Sequence, residues 1–318
     1  MNNTSPQLED LWACFQGMVP AALSTCAIDG TPNITFISQV YYVDARHVAI
    51  SFQFFNKTRH NVLAQPEVEI LVVHPLTAGR RTTQDWLGPV AHPSNGGGFW
   101  SSTRYSGFLQ LNVQPWSDGG VGHAGYIQRD DFTPKPSDDV RLLKVWQDGV
   151  LVKTSDWASA TLSDLPDGPM KLRMDLTVTR DKKVWTFSPK THTVWNVRSP
   201  GLSKGLDSVD ILPVLQVGYD VKTDLAGYTR GGKQSLRFSV SHLADAYGPG
   251  KVRSASLSVS YDDGKHWTPV PATRAGSWWS ASFTAPSRGY VSLRVRGRDS
   301  AGNTVTQDIV RAYGLRGR

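Results

Sequence analysis

The sequence predicts a mainly β fold from its pattern of short segments, and two further observations bound the class of protein. Short apolar segments recur along the 318 residues, and Gly, Pro, Ser and Asp separate them, as in proteins built from many strands. Hydrophobic residues make up 39% of the chain and charged residues 19%, which is ordinary for a folded protein. No apolar run is long enough to span a bilayer. A chain of this length is expected to hold two or three domains.

The N-terminal part predicts a helix followed by strands. Ser5-Pro6 is typical of a helix start, and apolar residues at helical spacing continue to Gly17. Asp29-Gly30 tolerates the positive φ of a hairpin turn and joins the first two predicted strands. In chain order, the elements predicted after the first helix are strands at Ala21–Cys26, Pro32–Tyr41 and His47–Phe52, a helix at Asn56–Ala64 and a strand at Glu67–Val73.

After about Gly79 the composition predicts an all-β region. Ten of the eleven tryptophans lie beyond this point. The predicted strands are Arg141–Val145, Val150–Thr154, Lys171–Thr179, Lys183–Ser188, Thr193–Val197, Leu212–Tyr219, Ser254–Ser260, Trp267–Val270, Trp278–Phe283, Tyr290–Gly297 and Val305–Tyr313. Their spacing suits a sandwich or jelly roll. We therefore expect three domains, at residues 1–80, 81–229 and 230–318.

The net charge of +7 is unevenly distributed along the chain. Residues 1–80 hold four Lys and Arg against six Asp and Glu, which leaves 30 against 21 in residues 81–318. A basic excess of this kind suits an anionic partner. The basic residues are scattered along strand-like segments, however, so a solvated surface is the preferred interpretation. We expect neither a nucleic-acid partner nor a membrane partner.

Cysteine and histidine usage predicts no metal site. Cys14 and Cys26 both lie near the N-terminus, so the rest of the chain has no disulfide framework and no thiolate ligands. The two thiols are expected to be small buried groups, and a disulfide between them is the alternative. Residues 1–10 lack the basic start and apolar core of a secretory signal, which favours a cytoplasmic location.

The segment Ser51–Asn61 is the most specific candidate site. A predicted strand ends there and a helix begins. Free backbone N–H groups and the positive end of the helix dipole favour an anion at a helix start. Lys57 and Arg59 add positive charge, and Thr58 adds a hydroxyl donor. The segment therefore predicts a phosphate site.

Residues 8–79 resemble a truncated FMN-binding split barrel of the pyridoxamine 5'-phosphate oxidase family. The stretches that carry the resemblance are Asp29-Gly30-Thr31-Pro32-Asn33, Ile37-Ser38-Gln39-Val40, Ser51 to Asn61, and Ile70-Leu71-Val72-Val73. In this family the flavin performs the redox chemistry, and the protein supplies position and electrostatics. The resemblance implies FMN as the cofactor and, if the chain is an enzyme, a flavin-dependent oxidoreductase.

The same resemblance implies the cofactor-binding residues. Lys57 and Thr58 would hold the FMN phosphate, with Asn61 nearby. The residues expected to face the ring or the ribityl chain are Ser38, Gln39, Val40 and Ser51. The catalytic residues stay unknown.

The resemblance to the split barrel stops near Gly79, before the later strands of the barrel. Those strands normally close the sheet and build a dimer. An unclosed barrel leaves sheet edges exposed and lacks the second half of the site, unless the following segment replaces it. The sequence therefore leaves undecided whether the chain forms a homodimer through the barrel.

Residues 83–318 resemble the β-rich accessory region that follows the catalytic domain in actinobacterial subtilisin-like serine peptidases. The matching stretches are Asp85–Pro89, Gly122–Gly125, Leu143–Gly149 and Ser256–Leu315. The turn Asp299-Ser300-Ala301-Gly302-Asn303 also resembles bacterial immunoglobulin-like domains. The resemblance implies a jelly-roll-like domain before an immunoglobulin-like sandwich, as in parts of secreted proteins. The peptidase nucleophile, base and acid segments do not occur, so no serine peptidase activity is expected.

Two further sequence patterns are interpreted as structural. Gly201-Leu202-Ser203-Lys204-Gly205 fits a hydrolase nucleophile pattern, but Pro200 precedes it and no apolar strand leads into it, so a loop is predicted. The stretch from Ser260 to Trp267 is typical of an Asp-box hairpin, in which Asp and Ser satisfy backbone groups and the Trp packs beneath them.

Two functions follow from the sequence as alternatives. The first is an FMN-binding protein fused to a non-catalytic β region. The second is a non-enzymatic accessory or binding module, or a chimeric fragment of a secreted subtilase. Such a module would bind polymer or carbohydrate through aromatic side chains such as Trp278 and Trp279. Adjacent strand residues point to opposite faces, so one of these two rings is expected in the core.

Overall fold

The chain forms two compact units, which we call the N-terminal unit (Met1–Gln84) and the C-terminal unit (Asp85–Arg318). The computed structural model describes part of each unit. The described residues are 21–37, 40–44, 47–50, 58, 61–62, 64, 69–72, 89–96, 101–118, 124–125, 140–183, 185–224 and 226–317. The helix predicted from Ser5 to Gly17 lies outside these residues.

The described part of the N-terminal unit consists of short antiparallel strands and helical residues. Its strands are β1 (Ala21–Cys26), β2 (Pro32–Ile37), β3 (Val40–Asp44), β4 (His47–Ile50) and β5 (Glu69–Val72). They form one sheet in the order β2-β1-β5 and a separate hairpin of β3 and β4. The described residues of the predicted second helix, which are Thr58, Asn61, Val62 and Ala64, are helical.

The predicted turn at Asp29-Gly30 is confirmed. The Gly30 N–H donates to the Ala27 carbonyl at 2.9 Å, and the Asp29 carboxylate accepts from the Thr31 N–H at 2.9 Å. Gly30 has a φ of 83°, a conformation that a residue with a Cβ rarely adopts. The turn aligns Cys26 with Pro32 and so fixes the register of β1 against β2.

The described part of the C-terminal unit is almost entirely β. Its strands are β6 (His92–Ser94), β7 (Thr103–Tyr105), β8 (Gly107–Asn112), β9 (Gln114–Ser117), β10 (Ala124–Gly125), β11 (Val140–Gln147), β12 (Val150–Ser155), β13 (Ser159–Leu165), β14 (Met170–Thr179), β15 (Lys190–Ser199), β16 (Asp210–Ile211), β17 (Gln216–Val221), β18 (Tyr228–Arg230), β19 (Gly232–Ser241), β20 (Val252–Ser260), β21 (Thr268–Val270), β22 (Ala272–Ala275), β23 (Trp278–Ala285), β24 (Gly289–Asp299) and β25 (Thr304–Arg316). A short 3₁₀ helix spans Gly205–Asp207.

These strands build four sheets. The largest has nine strands in the order β12-β11-β14-β15-β25-β24-β20-β21, with β18 also paired to β25. Two four-stranded sheets run β13-β8-β7-β16 and β17-β19-β23-β22, and a three-stranded sheet runs β10-β9-β6. The strand pairings within these four sheets are antiparallel, except that β18 and β25 are parallel. The prediction of a mainly β fold with sandwich-like sheets is confirmed.

The inner face of the nine-stranded sheet packs against the sheet β17-β19-β23-β22. A Cβ added to Gly297 of β24 would lie 2.7 Å from Val240 Cγ1 of β19, so the two strands approach as closely as glycine permits. The Trp195 indole of β15 is 1% exposed and donates to the Leu215 carbonyl at 2.9 Å. The buried apolar side chains form one contiguous core. Burial of such side chains between two sheets is the main source of stability in folds of this kind.

Residues 81–229 and 230–318, which the sequence predicts as separate domains, contribute to one sheet. In its centre β15 pairs with β25 over seven residue pairs, from Lys190↔Val310 to Asn196↔Thr304. The buried Gln307 of β25 joins the same region, because its amide donates to the Pro93 carbonyl at 2.9 Å and to Thr193 Oγ1 at 3.1 Å. Residues before and after position 230 are therefore joined by strand pairing and by side-chain hydrogen bonds.

Candidate functional site

The cofactor-binding residues predicted from the sequence fall into two groups. Ser38, Gln39, Ser51 and Lys57 lie outside the described residues. Val40, Thr58 and Asn61 are described, and each of their side chains is at most 4% exposed. Val40 begins β3, whereas Thr58 and Asn61 lie one helical turn apart and therefore on the same side of the helix.

Thr58 and Asn61 meet two strand side chains in a polar cluster, which we define as Thr25, Asn33, Thr58 and Asn61. Asn33 Nδ2 donates to Thr58 Oγ1 at 2.9 Å and to Thr25 Oγ1 at 3.2 Å. Asn61 Nδ2 donates to Thr25 Oγ1 at 3.2 Å. Thr25 and Asn33 are direct partners in the register of β1 and β2. The polar cluster therefore fixes the helix against this pair of strands.

Among the described residues, two hydroxyl donors of the polar cluster have no acceptor. A hydroxyl group carries one donor and two acceptor positions. Thr25 Oγ1 accepts two hydrogen bonds and Thr58 Oγ1 accepts one, and neither hydroxyl proton has an acceptor among the described residues. No carboxylate belongs to the cluster. Buried donors of this kind favour an oxygen-rich, negatively charged acceptor.

Thr25 and Asn33 were not predicted as site residues. Both belong to stretches that the sequence marks as strand, and Asn33 lies within the Asp29–Asn33 stretch that resembles the split barrel. The available signal was their equal distance in sequence from Asp29, which makes them cross-strand partners in a hairpin centred on that residue.

A cleft lies on the outward face of the nine-stranded sheet of the C-terminal unit. Its volume is about 610 Å³. We call it the basic cleft and define it by its polar and aromatic lining, which comprises Trp146, Lys171, Arg173, Asn196 and Arg198. The cleft was not predicted from the sequence. The period-two alternation of polar residues in β14 and β15 was the signal, because it places Lys171 and Arg173 on one face and Asn196 and Arg198 on one face.

A second recess on this sheet, of about 380 Å³, is electrostatically compensated. Asp263 and Asp308 line it together with His192, Lys190 and Trp267. Arg311 holds Asp263 through two hydrogen bonds of 2.8 and 2.6 Å, and Arg294 holds Asp308 through two of 2.6 and 2.5 Å. The hydrogen bonds from Arg311 lower the pKa of Asp263. Both carboxylates are therefore engaged in arginine pairs.

The Asp-box stretch forms the structural turn that the sequence predicts. Ser260 Oγ accepts from the Gly264 N–H at 2.9 Å, and Asp262 accepts from the N–H groups of Lys265 and His266. The Gly264 φ is 84°, and a Cβ there would lie 3.2 Å from the Trp267 ring. Hydrogen bonds lower the pKa of Asp262, with that from the His266 backbone as the largest cause, followed by those from the His266 ring and the Ser260 hydroxyl.

The adjacent tryptophans Trp278 and Trp279 point to opposite faces, as predicted. Trp279 is 4% exposed and stacks on Phe238 with ring centroids 5.9 Å apart. Trp278 is half-buried, and Arg237 Cζ lies 5.3 Å from its ring centroid. Trp279 therefore belongs to the core, and Trp278 remains at the surface beside a cation.

Ser203 lies in a loop, and no histidine among the described residues hydrogen-bonds to it. Its hydroxyl donates to Asp210 Oδ1 at 2.5 Å, and its N–H donates to Asp210 Oδ2 at 2.9 Å. A serine nucleophile needs a neighbouring base to remove its proton. The hydroxyl here is committed to a carboxylate that also orders the loop.

His242 and Asp299 form a histidine–carboxylate pair of the kind found in catalytic sites. Here the carboxylate mainly binds backbone and amide groups of nearby turns. His242 Nε2 lies 3.1 Å from Asp299 Oδ2, and the buried His242 Nδ1 has no hydrogen-bond partner in the described part of the chain. The carboxylate also accepts from the Asn303 N–H at 2.7 Å, the Asn303 amide at 2.6 Å and the Gly250 N–H at 3.0 Å. Burial raises the pKa of Asp299, but the Asn303 and Gly250 hydrogen bonds and the His242 charge outweigh it, so the pKa is lowered.

Replacing Asp299 by alanine is expected to destabilise the C-terminal unit by about 3 kcal/mol, because several buried donors lose their acceptor. A carboxyl with a lowered pKa stabilises the fold above its unfolded value of about 3.9 and loses this effect as the pH falls through the folded value. The difference between the wild type and Asp299→Ala should therefore shrink in acid. Urea unfolding at neutral and acid pH measures this effect.

The matched control for Asp299 is Asp220→Ala. Asp220 pairs with Arg237 at the surface, where the two side chains are 33% and 56% exposed. Such a pair contributes about 0–1 kcal/mol. Equal stability losses for the two variants at neutral pH would contradict the role assigned to Asp299.

Within the described residues, no group of three or more His, Cys, Asp or Glu is arranged to hold a metal ion. No helix in the same part of the chain is long and apolar enough to cross a membrane. Cys26 carries a free thiol, whereas Cys14 lies outside the described residues.

Comparisons with known proteins give no family. No protein-family model matches the chain, and no curated protein matches it. Among the solved structures that are similar to the chain are the fibronectin(III)-like modules of Clostridium thermocellum CbhA, with 12% sequence identity and a TM-score of 0.24. That match covers 67% of this chain and 87% of the other. A likeness at this level carries no assignment of function.

Proposed function

We propose that the N-terminal unit binds FMN, with the phosphate at Lys57 and Thr58. The observation that carries the proposal is the polar cluster. Thr58 and Asn61, which the split-barrel resemblance assigns to the phosphate region, are both hydrogen-bonded to strand side chains. An anion site needs donors that are held in place before the ligand arrives, and these hydrogen bonds supply that order.

The donors of the polar cluster match the chemistry of a phosphate group. Asn33 occupies an acceptor position of Thr58 Oγ1, so the Thr58 proton can be donated to a phosphate oxygen. Thr25 accepts from Asn33 and Asn61 and retains its own proton in the same way. Lys57 would add the positive charge. The remaining predicted residues, Ser38, Gln39, Val40 and Ser51, would contact the ring and the ribityl chain.

When bound, FMN supplies two-electron redox chemistry, and the protein supplies position and electrostatics. The proposal therefore covers a flavoprotein and, as its enzymatic extension, a flavin-dependent oxidoreductase that acts on a small molecule. The chain's own residues hold the phosphate and orient the ring in this scheme. A homodimer through the N-terminal unit and a cytoplasmic location remain part of the proposal.

The test compares FMN with riboflavin, which differs from it only by the phosphate. FMN is expected to bind the full chain at least about tenfold more tightly, since a hydrogen bond to a charged group contributes roughly 1.5–3 kcal/mol. Lys57→Ala and Thr58→Val should bring the two affinities close together. Quenching of flavin fluorescence on titration with protein measures both affinities.

The control is Lys222→Ala, which removes an exposed lysine from the C-terminal unit. Its affinity for FMN should match that of the wild type. Equal binding of FMN and riboflavin by the wild type would overturn the phosphate site, and the loss of all flavin during gel filtration would overturn flavin binding itself.

The alternative function, a non-catalytic binding module in the C-terminal unit, is favoured by one specific observation. The basic cleft is a concave surface with an indole ring, an amide and three cations, and no carboxylate lines it. Such a surface can bind a ligand whether or not the N-terminal unit binds flavin.

A further inference from the structure

The basic cleft is assembled by strand register. Trp146 of β11 pairs with Arg173 of β14, and Arg173 pairs with Asn196 of β15. The row continues through Thr304 of β25 to Arg298 of β24. Directly paired residues of antiparallel strands point to the same face, at roughly 4.8 Å from strand to strand. The row therefore extends about 19 Å across the sheet, which suits an extended polymer.

The charge of the basic cleft is only partly compensated. Arg173 Nη2 lies 3.0 Å from Asp175 Oδ2, and His192 Nε2 lies 2.8 Å from the other oxygen of the same carboxylate. Asp148 accepts the Lys171 backbone N–H at 3.0 Å. The side chains of Lys171 and Arg198 form no ion pair with any described residue. Two cations thus remain for an anionic ligand.

The turn between β24 and β25 makes room for the Arg198 side chain. The Arg198 N–H donates to Asn303 Oδ1 at 2.7 Å, which ties β15 to this turn. A Cβ at Gly302 would lie 2.7 Å from Arg198 Nε, and the φ of Gly302 is 92°. The positive φ favours glycine at this position, and the absence of a Cβ leaves space for the Arg198 side chain at the edge of the cleft.

The other side chains of the basic cleft suit a sugar. Trp146 lies beside the cations, with Arg173 Cζ 5.4 Å from its ring centroid, and presents an aromatic surface for the C–H groups of a pyranose. Asn196 Nδ2 donates to Thr304 Oγ1 at 2.9 Å, which orients the amide and leaves its carbonyl oxygen for a hydroxyl group. A planar guanidinium binds a carboxylate through two parallel hydrogen bonds.

We propose that the basic cleft binds an acidic polysaccharide, with a sugar ring against Trp146 and a sugar carboxylate on Arg198 and Lys171. Further sugar units of the polysaccharide would lie along the row of paired residues that leads to Arg298. A single-stranded nucleic acid fits less well, because its successive bases need several aromatic platforms, and the row offers one. The proposal does not depend on flavin binding by the N-terminal unit.

The test measures binding of the full chain to polygalacturonate by isothermal titration calorimetry. The comparison probes are neutral dextran, dextran sulfate and a single-stranded DNA oligonucleotide. We expect polygalacturonate to bind most tightly and dextran not to bind. Arg198→Gln and Trp146→Ala should each weaken binding of polygalacturonate about tenfold, the effect of losing a charge-assisted hydrogen bond or a buried aromatic contact.

Arg237→Gln and Trp278→Ala provide matched controls. Arg237 lies over the Trp278 ring on a different sheet, so this pair repeats the chemistry of Arg173 and Trp146 away from the cleft. Both controls should bind as the wild type does. If Trp146→Ala fails to fold, Lys171→Gln replaces it, because Lys171 is exposed and its side chain has no partner among the described residues.

Three results would overturn the proposal. The first is no binding of polygalacturonate by the wild type. The second is equal binding of polygalacturonate, dextran sulfate and DNA that survives Trp146→Ala, which is the behaviour of an unspecific cationic surface. The third is loss of binding in Trp278→Ala but not in Arg198→Gln, which would move the carbohydrate site to the other sheet. None of these results bears on FMN binding, which is measured separately.

Discussion

Replacing Arg104 by methionine is expected to lower the free energy of unfolding of the C-terminal unit by about 3 kcal/mol. Arg104 is 1% exposed in β7. Its guanidinium donates to Ser199 Oγ at 2.8 Å and to the carbonyls of Pro200, Pro166 and Gly168 at 2.5–2.6 Å. Burial lowers the pKa of Arg104, and the charges of Asp167 and Asp210 act in the opposite direction.

The size of this loss of stability follows from the buried acceptors that methionine would leave without a donor. Replacing every member of a buried ionic group by apolar residues can be neutral. Here the partners are mainly backbone carbonyls, which no side-chain substitution removes, so they would stay buried without donors. Lysine is no better, because its ammonium is a point charge and cannot span four acceptors. Arg104→Lys is therefore expected to fall between methionine and the wild type.

Thermal unfolding measures the Arg104 effect. A loss of this size should lower the midpoint by roughly 6–12 °C for a unit of this length. Arg253→Met is the control, since Arg253 is exposed in β20 and its side chain has no hydrogen bond or ion pair with a described residue. Equal midpoints for the two methionine variants would show that water satisfies the carbonyls around Arg104.

Truncation of the chain after Gly302, which removes β25, is expected to abolish folding of the C-terminal unit. In the nine-stranded sheet β25 pairs with β15, β24 and β18. It also buries five apolar side chains, which are Val305, Ile309, Ala312, Tyr313 and Leu315. Their burial contributes on the order of 10 kcal/mol, which is comparable to the whole stability of a typical domain.

Circular dichroism and gel filtration test the truncation. The shortened chain should lose the near-ultraviolet signal of its packed tryptophans and elute as an expanded or associated species. Removal of residues 317–318 alone is the control and should leave both measurements unchanged, because β25 ends at Arg316. A cooperative thermal transition with native tryptophan signals in the shortened chain would contradict the central role of β25.

Where one face of a strand is buried, its alternation was sufficient for prediction. The residues of β14 alternate between buried and accessible positions along its whole length, and the predicted Lys171–Thr179 differs from the observed Met170–Thr179 by one residue. The alternation was also sufficient to predict β24, because its apolar residues face the core at every second position. Period-two patterning is a direct consequence of the pleat, so it can be seen in the sequence alone.

One predicted strand was wrong and another was predicted to begin too early, because other hydrogen bonds replace the ladder; the predicted Leu212–Tyr219 begins at Gln216 in the structure. The described residues of Lys183–Ser188 form turns and bends, since Asp181 accepts from the N–H groups of Lys183 and Trp185. Leu212 to Leu215 are buried but not in a strand, and the Leu215 carbonyl accepts from the Trp195 indole instead. Apolar composition correctly predicted the burial of Leu212 and Leu215 but not their conformation.

The candidate sites depend on information that no short window contains. The basic cleft requires β11, β14 and β15 to be adjacent and then β25 to pair with β15, although more than a hundred residues separate Asn196 from Thr304. The polar cluster likewise joins Asn33 to Thr58 across 25 residues. Thr58 and Asn61 were predicted through family resemblance, whereas Thr25, Asn33 and the residues of the basic cleft emerge only from the register.

The central place of β25 also constrains the order in which the protein can fold during synthesis. The ribosome delivers the other strands of the nine-stranded sheet first, and β15 and β24 then have no partner on the sides that β25 will occupy. Contacts between distant parts of a chain form slowly, and open strand edges invite association with other chains. The nascent C-terminal unit therefore spends its synthesis time with two open edges in its middle, a period in which a chaperone would be most useful.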